Sequence, residues 1–200
     1  MSVALIDYGA GNLHSVHNAL KAAGAPDLLI TADPQAVLKA DRVVLPGVGA
    51  FSACAGGLRG IEGMVEALEE RVMRQGAPFL GVCVGMQLMA ERGEEHGVHQ
   101  GLGWIPGTVR HLLPSPEVRV PHMGWNDVVP TVAHPLIKRG EAYFLHSFAF
   151  TGEHVLATSD HGGEITAAIG RDNIAGVQFH PEKSQRYGIA LLERFLKWRP

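Results

Sequence analysis

Short apolar runs alternating with helical periodicity through the first half of the chain constrain its fold more than any other feature. Val3 to Ile6 reads as a strand, and after a glycine turn a helical segment runs from about Asn12 to Ala23. Leu28–Thr31 and Arg42–Leu45 are further strands, with Asp33-Pro34 opening a short helix between them. Ile61, Met64, Val65, Leu68 and Val72 fall at helical spacing. Phe79–Val82 is again a strand, and Gly85–Glu91 suits a helix. Strand alternating with helix implies βαβ units around a buried parallel sheet, with a ligand crevice beyond the C-terminal strand ends.

From Gly103 to about Gln178 the runs become short, β-rich and punctuated by Gly, Pro and Asp. Trp104–Val109, Asp127–Val129, Ala142–Leu145, His154–Thr158, Ile165–Ile169 and Ile174–Phe179 are the strand candidates. A helix from about Gln185 to Trp198 closes the chain, with Ile189, Leu192, Phe195 and Leu196 on one face. The expectation is one α/β domain over residues 1–200, an open, mostly parallel or mixed sheet flanked by helices.

Composition narrows the functional classes. With 17 basic against 20 acidic residues, a net charge of −3, the chain has no basic field for nucleic acid or an anionic bilayer. The N-terminus lacks a basic leader, and Asp7 interrupts its apolar run. The longest apolar stretch, Ala77–Ala90, is shorter than the ~20 residues of a spanning helix, so a cytoplasmic protein is expected. Two cysteines are too few for a disulfide scaffold.

One cysteine stands in a chemical setting. In Phe79-Leu80-Gly81-Val82-Cys83-Val84-Gly85 an apolar strand enters Gly-x-Cys-x-Gly before a helical pattern, the nucleophile-elbow arrangement with sulfur replacing oxygen. There the Val84 N–H would face an oxyanion formed by attack at Cys83. Cys54 lacks that setting and reads as a core residue. In Phe179-His180-Pro181-Glu182 a strand ends at a histidine, and two residues on a carboxylate can hold one ring nitrogen, leaving the other free for a proton. Alone, each motif also fits a structural role; together they supply nucleophile, base and orienting group. The glycine turn Pro46-Gly47-Val48-Gly49, after the Arg42–Leu45 strand, presents N–H groups that could complete an oxyanion hole, cradle a phosphate or simply turn the chain.

The PGVG turn, the GVCVGMQ elbow and the FHPEKS ending together resemble the class I, triad-type glutamine amidotransferases, whose core is flavodoxin-like. IDYGAGNLHSV, PHMGWN (121–126) and YFLHSF (143–148) are similar to one branch, the glutaminase subunits that serve imidazole glycerol phosphate synthases. The resemblance implies that Cys83 attacks the glutamine side-chain amide, with His180 as base and acid and Glu182 orienting it. It implies Val48, Gly49 and Val84 as oxyanion donors, and Gln87, His146, Ser147 and Phe148 as the glutamine pocket. It further implies no cofactor, and a heterodimer with a cyclase subunit that consumes the ammonia in histidine biosynthesis, with Asn12, Trp125 and Lys183 at the interface.

Two positions depart from the wider family, Met86 where histidine is usual and Val48 where a small residue is usual, and Phe148 stands where a hydroxylated aromatic is common in the branch. A β-branched Val48 resists positive φ, so the loop's peptide orientation is expected to depend on the partner, and the free chain to be a poor glutaminase. Competing readings are the glutaminase of another synthase, of the anthranilate type, a non-catalytic subunit, or an α/β binding module. Gly9-Ala10-Gly11 is followed by His14, and Gly101-Leu102-Gly103 by Pro106, where the dinucleotide fingerprint requires glycine. The pairs His14/His17 and His96/His99 lack the companions that complete a metal site, so no metal is expected.

Overall fold

The computed structural model describes residues 1–114 and 118–200. The first half runs β1 (Ser2–Ile6), α1 (Leu13–Ala22), β2 (Asp27–Thr31), α2 (Pro34–Lys39), β3 (Arg42–Leu45), α3 (Phe51–Gly60), α4 (Met64–Leu68), β4 (Phe79–Val82), α5 (Val84–Gln87), β5 (Ala90–Gly93) and β6 (His99–Gln100). The second half adds β7 (Ile105–His111), β8 (His122–Pro130), β9 (Gly140–His146), β10 (Phe148–Gly152), β11 (Val155–Asp160), β12 (Glu164–Arg171), β13 (Ile174–Val177) and α6 (Gln185–Lys197).

Nine strands form one sheet in the order β2-β1-β3-β4-β13-β12-β11-β8-β9. The pairs β1/β2, β1/β3, β3/β4 and β4/β13 are parallel, and the pairs from β13 to β9 are antiparallel. Every residue of β3, β4 and β13 is buried, which explains why these segments, Arg42 aside, read as apolar runs. Asp33 caps α2 by accepting from the Gln35 N–H at 2.9 Å, ahead of Pro34. On α6, Leu191, Leu192, Phe195 and Leu196 are buried, while Ile189 packs partly buried at the margin.

The structure departs from the sequence expectation at four places. A second sheet, β10-β7-β5-β6, stands beside the first. Helix α3 carries Gly56-Gly57 at its centre, poor helix formers that hide it in the sequence. Gly57 serves packing, because a Cβ there would lie 2.7 Å from the Tyr8 carbonyl oxygen. Ile61 lies outside a helix; the following one begins at Met64, after Gly63 at φ +78°, and continues as a π-helical stretch over Glu69–Arg74. The helix expected over Gly85–Glu91 stops at Gln87, because the N–H groups of Leu102, Trp104 and Gly103 bond the carbonyls of Leu88, Met89 and Ala90 and draw the chain into β5.

Candidate functional site

Register brings the two distant motifs together. β4 and β13 are parallel neighbours with Val82 opposite Val177, so Cys83 and Gln178 leave the sheet side by side. The Cys83 N–H bonds the Val177 carbonyl at 2.8 Å. Cys83 then turns at φ +53°, a left-handed conformation rare for a residue with a side chain, and α5 begins at Val84. Glycines make the turn possible: a Cβ on Gly85 would run into the Leu45 carbonyl oxygen, and one on Gly81 would lie 2.7 Å from the Gly85 carbonyl oxygen.

Three residues past β13, His180 is fixed from both backbone sides. Its N–H donates to Tyr143 O at 2.9 Å, and its carbonyl accepts from Ser184 Oγ at 2.6 Å. His180 Nδ1 lies 2.8 Å from Glu182 Oε1, with both side chains almost fully buried. Among the described residues, Glu182 Oε2 has no hydrogen-bond partner. Burial alone lowers the His180 pKa, but the neighbouring Cys83 sulfur and the Glu182 carboxylate outweigh it and raise the value to about 10.

Cys83 and His180 line a cleft of about 210 Å³ together with Val48, Gly49, Val84, Gln87, His146, Ser147 and Phe148. The sequence-predicted catalytic, oxyanion-loop and pocket residues therefore converge, except that Glu182 stands behind His180 rather than in the cleft wall. Lys183 also reaches the cleft, and its Nζ sits 5.8 Å from the centre of the Tyr143 ring, against which Trp125 packs edge-on. Trp125 is 47% exposed, and Asn12 caps α1 at the Ser15 N–H.

The loop after β3 is held by its carbonyls. Pro46 O accepts from Tyr8 Oη at 2.6 Å, Gly47 O from the Val84 N–H at 3.3 Å, and Val48 O from Cys54 Sγ at 3.4 Å. Cys54 is fully buried, with its thiol pKa pushed up first by burial. A trans peptide points its C=O and N–H in opposite directions. With Gly47 O on the Val84 N–H, the Val48 N–H of that same peptide is turned away and the Val84 donor is occupied.

Sequence reasoning missed Gln178. It is fully buried, donates through Nε2 to Cys83 Sγ at 3.7 Å, and accepts from Gln87 Nε2 at 3.0 Å, while Gln87 also donates to Phe148 O at 3.0 Å. Its place in Val177-Gln178-Phe179-His180, a buried amide within an apolar strand ending, was the available signal. Glu95 was missed too; it lines the cleft and accepts from the Phe51 N–H at 2.7 Å. Among the described residues, no group of three or more His, Cys, Asp or Glu side chains gathers as metal ligands do, and no helix is long and apolar enough to cross a membrane.

Comparison with known proteins places this geometry in context. The family profile "Glutamine amidotransferase class-I" matches residues 4–198. An imidazole glycerol phosphate synthase subunit HisH from Zymomonas mobilis is 62% identical, covering 100% of this chain and 97% of its own length. The protein of the same name from Rhodopseudomonas palustris is 51% identical, covering 100% of both chains. Among solved structures, a glutamine amidotransferase superposes with a TM-score of 0.76 at 18% identity over 98% of each chain. The acivicin-bound glutaminase domain of Trypanosoma brucei CTPS gives 0.68 at 16% identity, over 100% of this chain and 95% of its own.

Proposed function

The chain belongs to the class I glutamine amidotransferase family, and on that premise we propose that it is the glutaminase subunit of an imidazole glycerol phosphate synthase, with residues 1–200 as one glutaminase domain working in the cytoplasm. The buried line of Cys83, His180 and Glu182 at the ends of two adjacent parallel strands carries this reading.

Cys83 Sγ attacks the side-chain amide carbon of glutamine, and the thiol proton passes to His180. Glu182, bonded to Nδ1, fixes the ring so that Nε2 serves the reaction. Collapse of the tetrahedral intermediate breaks the C–N bond; His180 returns the proton to the leaving nitrogen, and ammonia departs from a thioester. Water, deprotonated by His180, then releases glutamate and restores the thiol. Gln87, His146, Ser147 and Phe148 wall the space that the glutamine occupies. Glu95 is the carboxylate in that wall suited to an α-ammonium group.

Oxyanion stabilisation needs two N–H donors aimed at one point. In the conformation described, the Gly47 carbonyl occupies one of them. Rotating the Gly47–Val48 peptide frees the Val84 N–H and turns the Val48 N–H inward, beside Gly49. The cyclase partner supplies that rotation when it docks over Asn12, Trp125 and Lys183. The exposed Trp125 and Met123 on the outer face of β8, and Lys183 at the cleft, support this surface. The ammonia then passes to the cyclase.

Glutamate formation by the chain with its cognate cyclase tests the reading. Cys83→Ala is expected to lower kcat by at least about 10³-fold, and Cys54→Ala to leave the reaction near wild type. Equal rates for wild type and Cys83→Ala overturn it.

A further inference from the structure

Beyond the cleft wall, a row of polar side chains, half-buried at Asn126 and buried at His122 and His146, runs from β11 to the pocket. Asn126 Nδ2 donates to Asp160 O at 2.8 Å and lies 3.0 Å from His122 Nε2. His122 Nδ1 lies 3.0 Å from His146 Nε2, and His146 Nδ1 lies 2.9 Å from Phe148 O. Phe148 O is the carbonyl to which Gln87 also donates.

One proton assignment satisfies the whole row for neutral rings. A carbonyl only accepts, so His146 carries its proton on Nδ1 and its Nε2 accepts. His122 must then donate from Nδ1, leaving Nε2 to accept from Asn126. From Asn126 through His122 and His146 to Phe148 every bond points the same way, and neither nitrogen of His146 is left for proton transfer in the cleft. The ring of His122 stacks on Phe144 at 4.6 Å and on His161 at 4.2 Å, which holds its plane.

We propose that His122 and Asn126 are positioning residues for the glutamine pocket, holding His146 in the single tautomer that pins the Phe148 carbonyl. This rests on the glutaminase reading above. Ser147 alone separates β9, at the edge of the large sheet, from β10, at the edge of the small one. The His146–Phe148 bond spans that crossing, so the row sets how the wall at residues 146–148 faces Gln87 and Cys83. β8 also carries Met123 and Trp125 on its opposite, exposed face, so one strand serves both the pocket and the outer surface.

The test compares His122→Leu with His122→Asn in the assembled complex with the cyclase. An asparagine places an amide N–H near the Nδ1 position and can still donate to His146. His122→Leu is expected to raise KM for glutamine about tenfold, the size of one buried hydrogen bond, while kcat stays within about twofold. The rate of Cys83 alkylation by iodoacetamide, which needs no glutamine pocket, stays within the same range. His122→Asn returns KM toward wild type. An unchanged KM in His122→Leu overturns the proposal. So does a joint fall in kcat, KM performance and alkylation that His122→Asn does not rescue, the pattern of a merely structural role. If His122→Leu does not assemble, Asn126→Leu, at the far end of the row, carries the same expectation and the same refutation. A wild-type complex that does not hydrolyse glutamine removes the underlying reading instead.

Discussion

At the scale of single residues, the site sets histidines apart by their surroundings. His180 is raised to about 10 because its sulfur and carboxylate neighbours outweigh burial. His122 and His146 are lowered to about 3 and about 4, first by burial and then by other imidazoles, among them His161. The consequences for stability have opposite signs. The His180 contribution is fully present below the ordinary imidazole value of 6.5 and is lost as pH rises toward 10. The His122 and His146 contributions are present above 6.5 and are lost as pH falls toward 4 and 3, because the unfolded chain takes up protons that the folded rings refuse. Urea unfolding of wild type and His122→Asn at pH 7 and pH 4.5 reads this directly. The stability gap between them is expected to narrow at the lower pH; parallel profiles contradict it. The convergence of Cys83, His180 and Glu182 was legible because each sits in a local pattern, the glycine-flanked turn after β4 and the His-Pro-Glu segment after β13. Gln178 and the His122–His146 row were not, since their partners lie across strands and no local spacing encodes them.

At the scale of elements, the elbow depends on close backbone approach. A Cβ on Gly47 would lie 2.5 Å from the Gly85 nitrogen, and one on Gly85 would meet Leu45 O. Gly85→Ala is therefore expected to destabilise the chain by about 1–3 kcal/mol, measured by urea unfolding; a wild-type midpoint would show that the β3 and β4 ends are less closely packed than described. On the outer face of β8, Trp125→Ala is expected to weaken co-elution with the cyclase while leaving the melting temperature of the free chain within about 2 °C of wild type. Undiminished co-elution would move the interface elsewhere. Strands β1, β3 and β4 were legible as elements because a parallel sheet buries both faces and leaves apolar runs, whereas β2, at the sheet edge with Leu29 and Ile30 exposed, shows only as a short apolar run. Helix α3 was hidden by Gly56-Gly57, of which Gly57 serves its packing on Tyr8, and β5 by carbonyls that bond a loop instead of a further helical turn.

At the scale of the whole molecule, two sheets share one cleft, with Cys83 at the end of a strand of the large sheet and part of the cleft wall on the crossing to the small one. The second sheet escaped the sequence because β5 pairs parallel with β7 and β10 pairs with β7 over long separations, which periodicity does not report. The division of labour has a functional consequence. The large sheet delivers Cys83 and His180 preassembled, whereas the loop from Pro46 to Val48 rests with its carbonyls bonded and the Val84 donor occupied. On the proposed reading, slow glutamine turnover by the free chain and faster turnover with a cyclase are the outcomes expected of that arrangement. The most direct measurement inactivates the chain with 6-diazo-5-oxo-L-norleucine, with and without the cyclase, and locates the added mass by peptide mass spectrometry. The expected result is a single adduct on Cys83, formed faster in the complex and absent from Cys83→Ala. Inactivation with the added mass on any other residue, Cys54 included, would contradict the account.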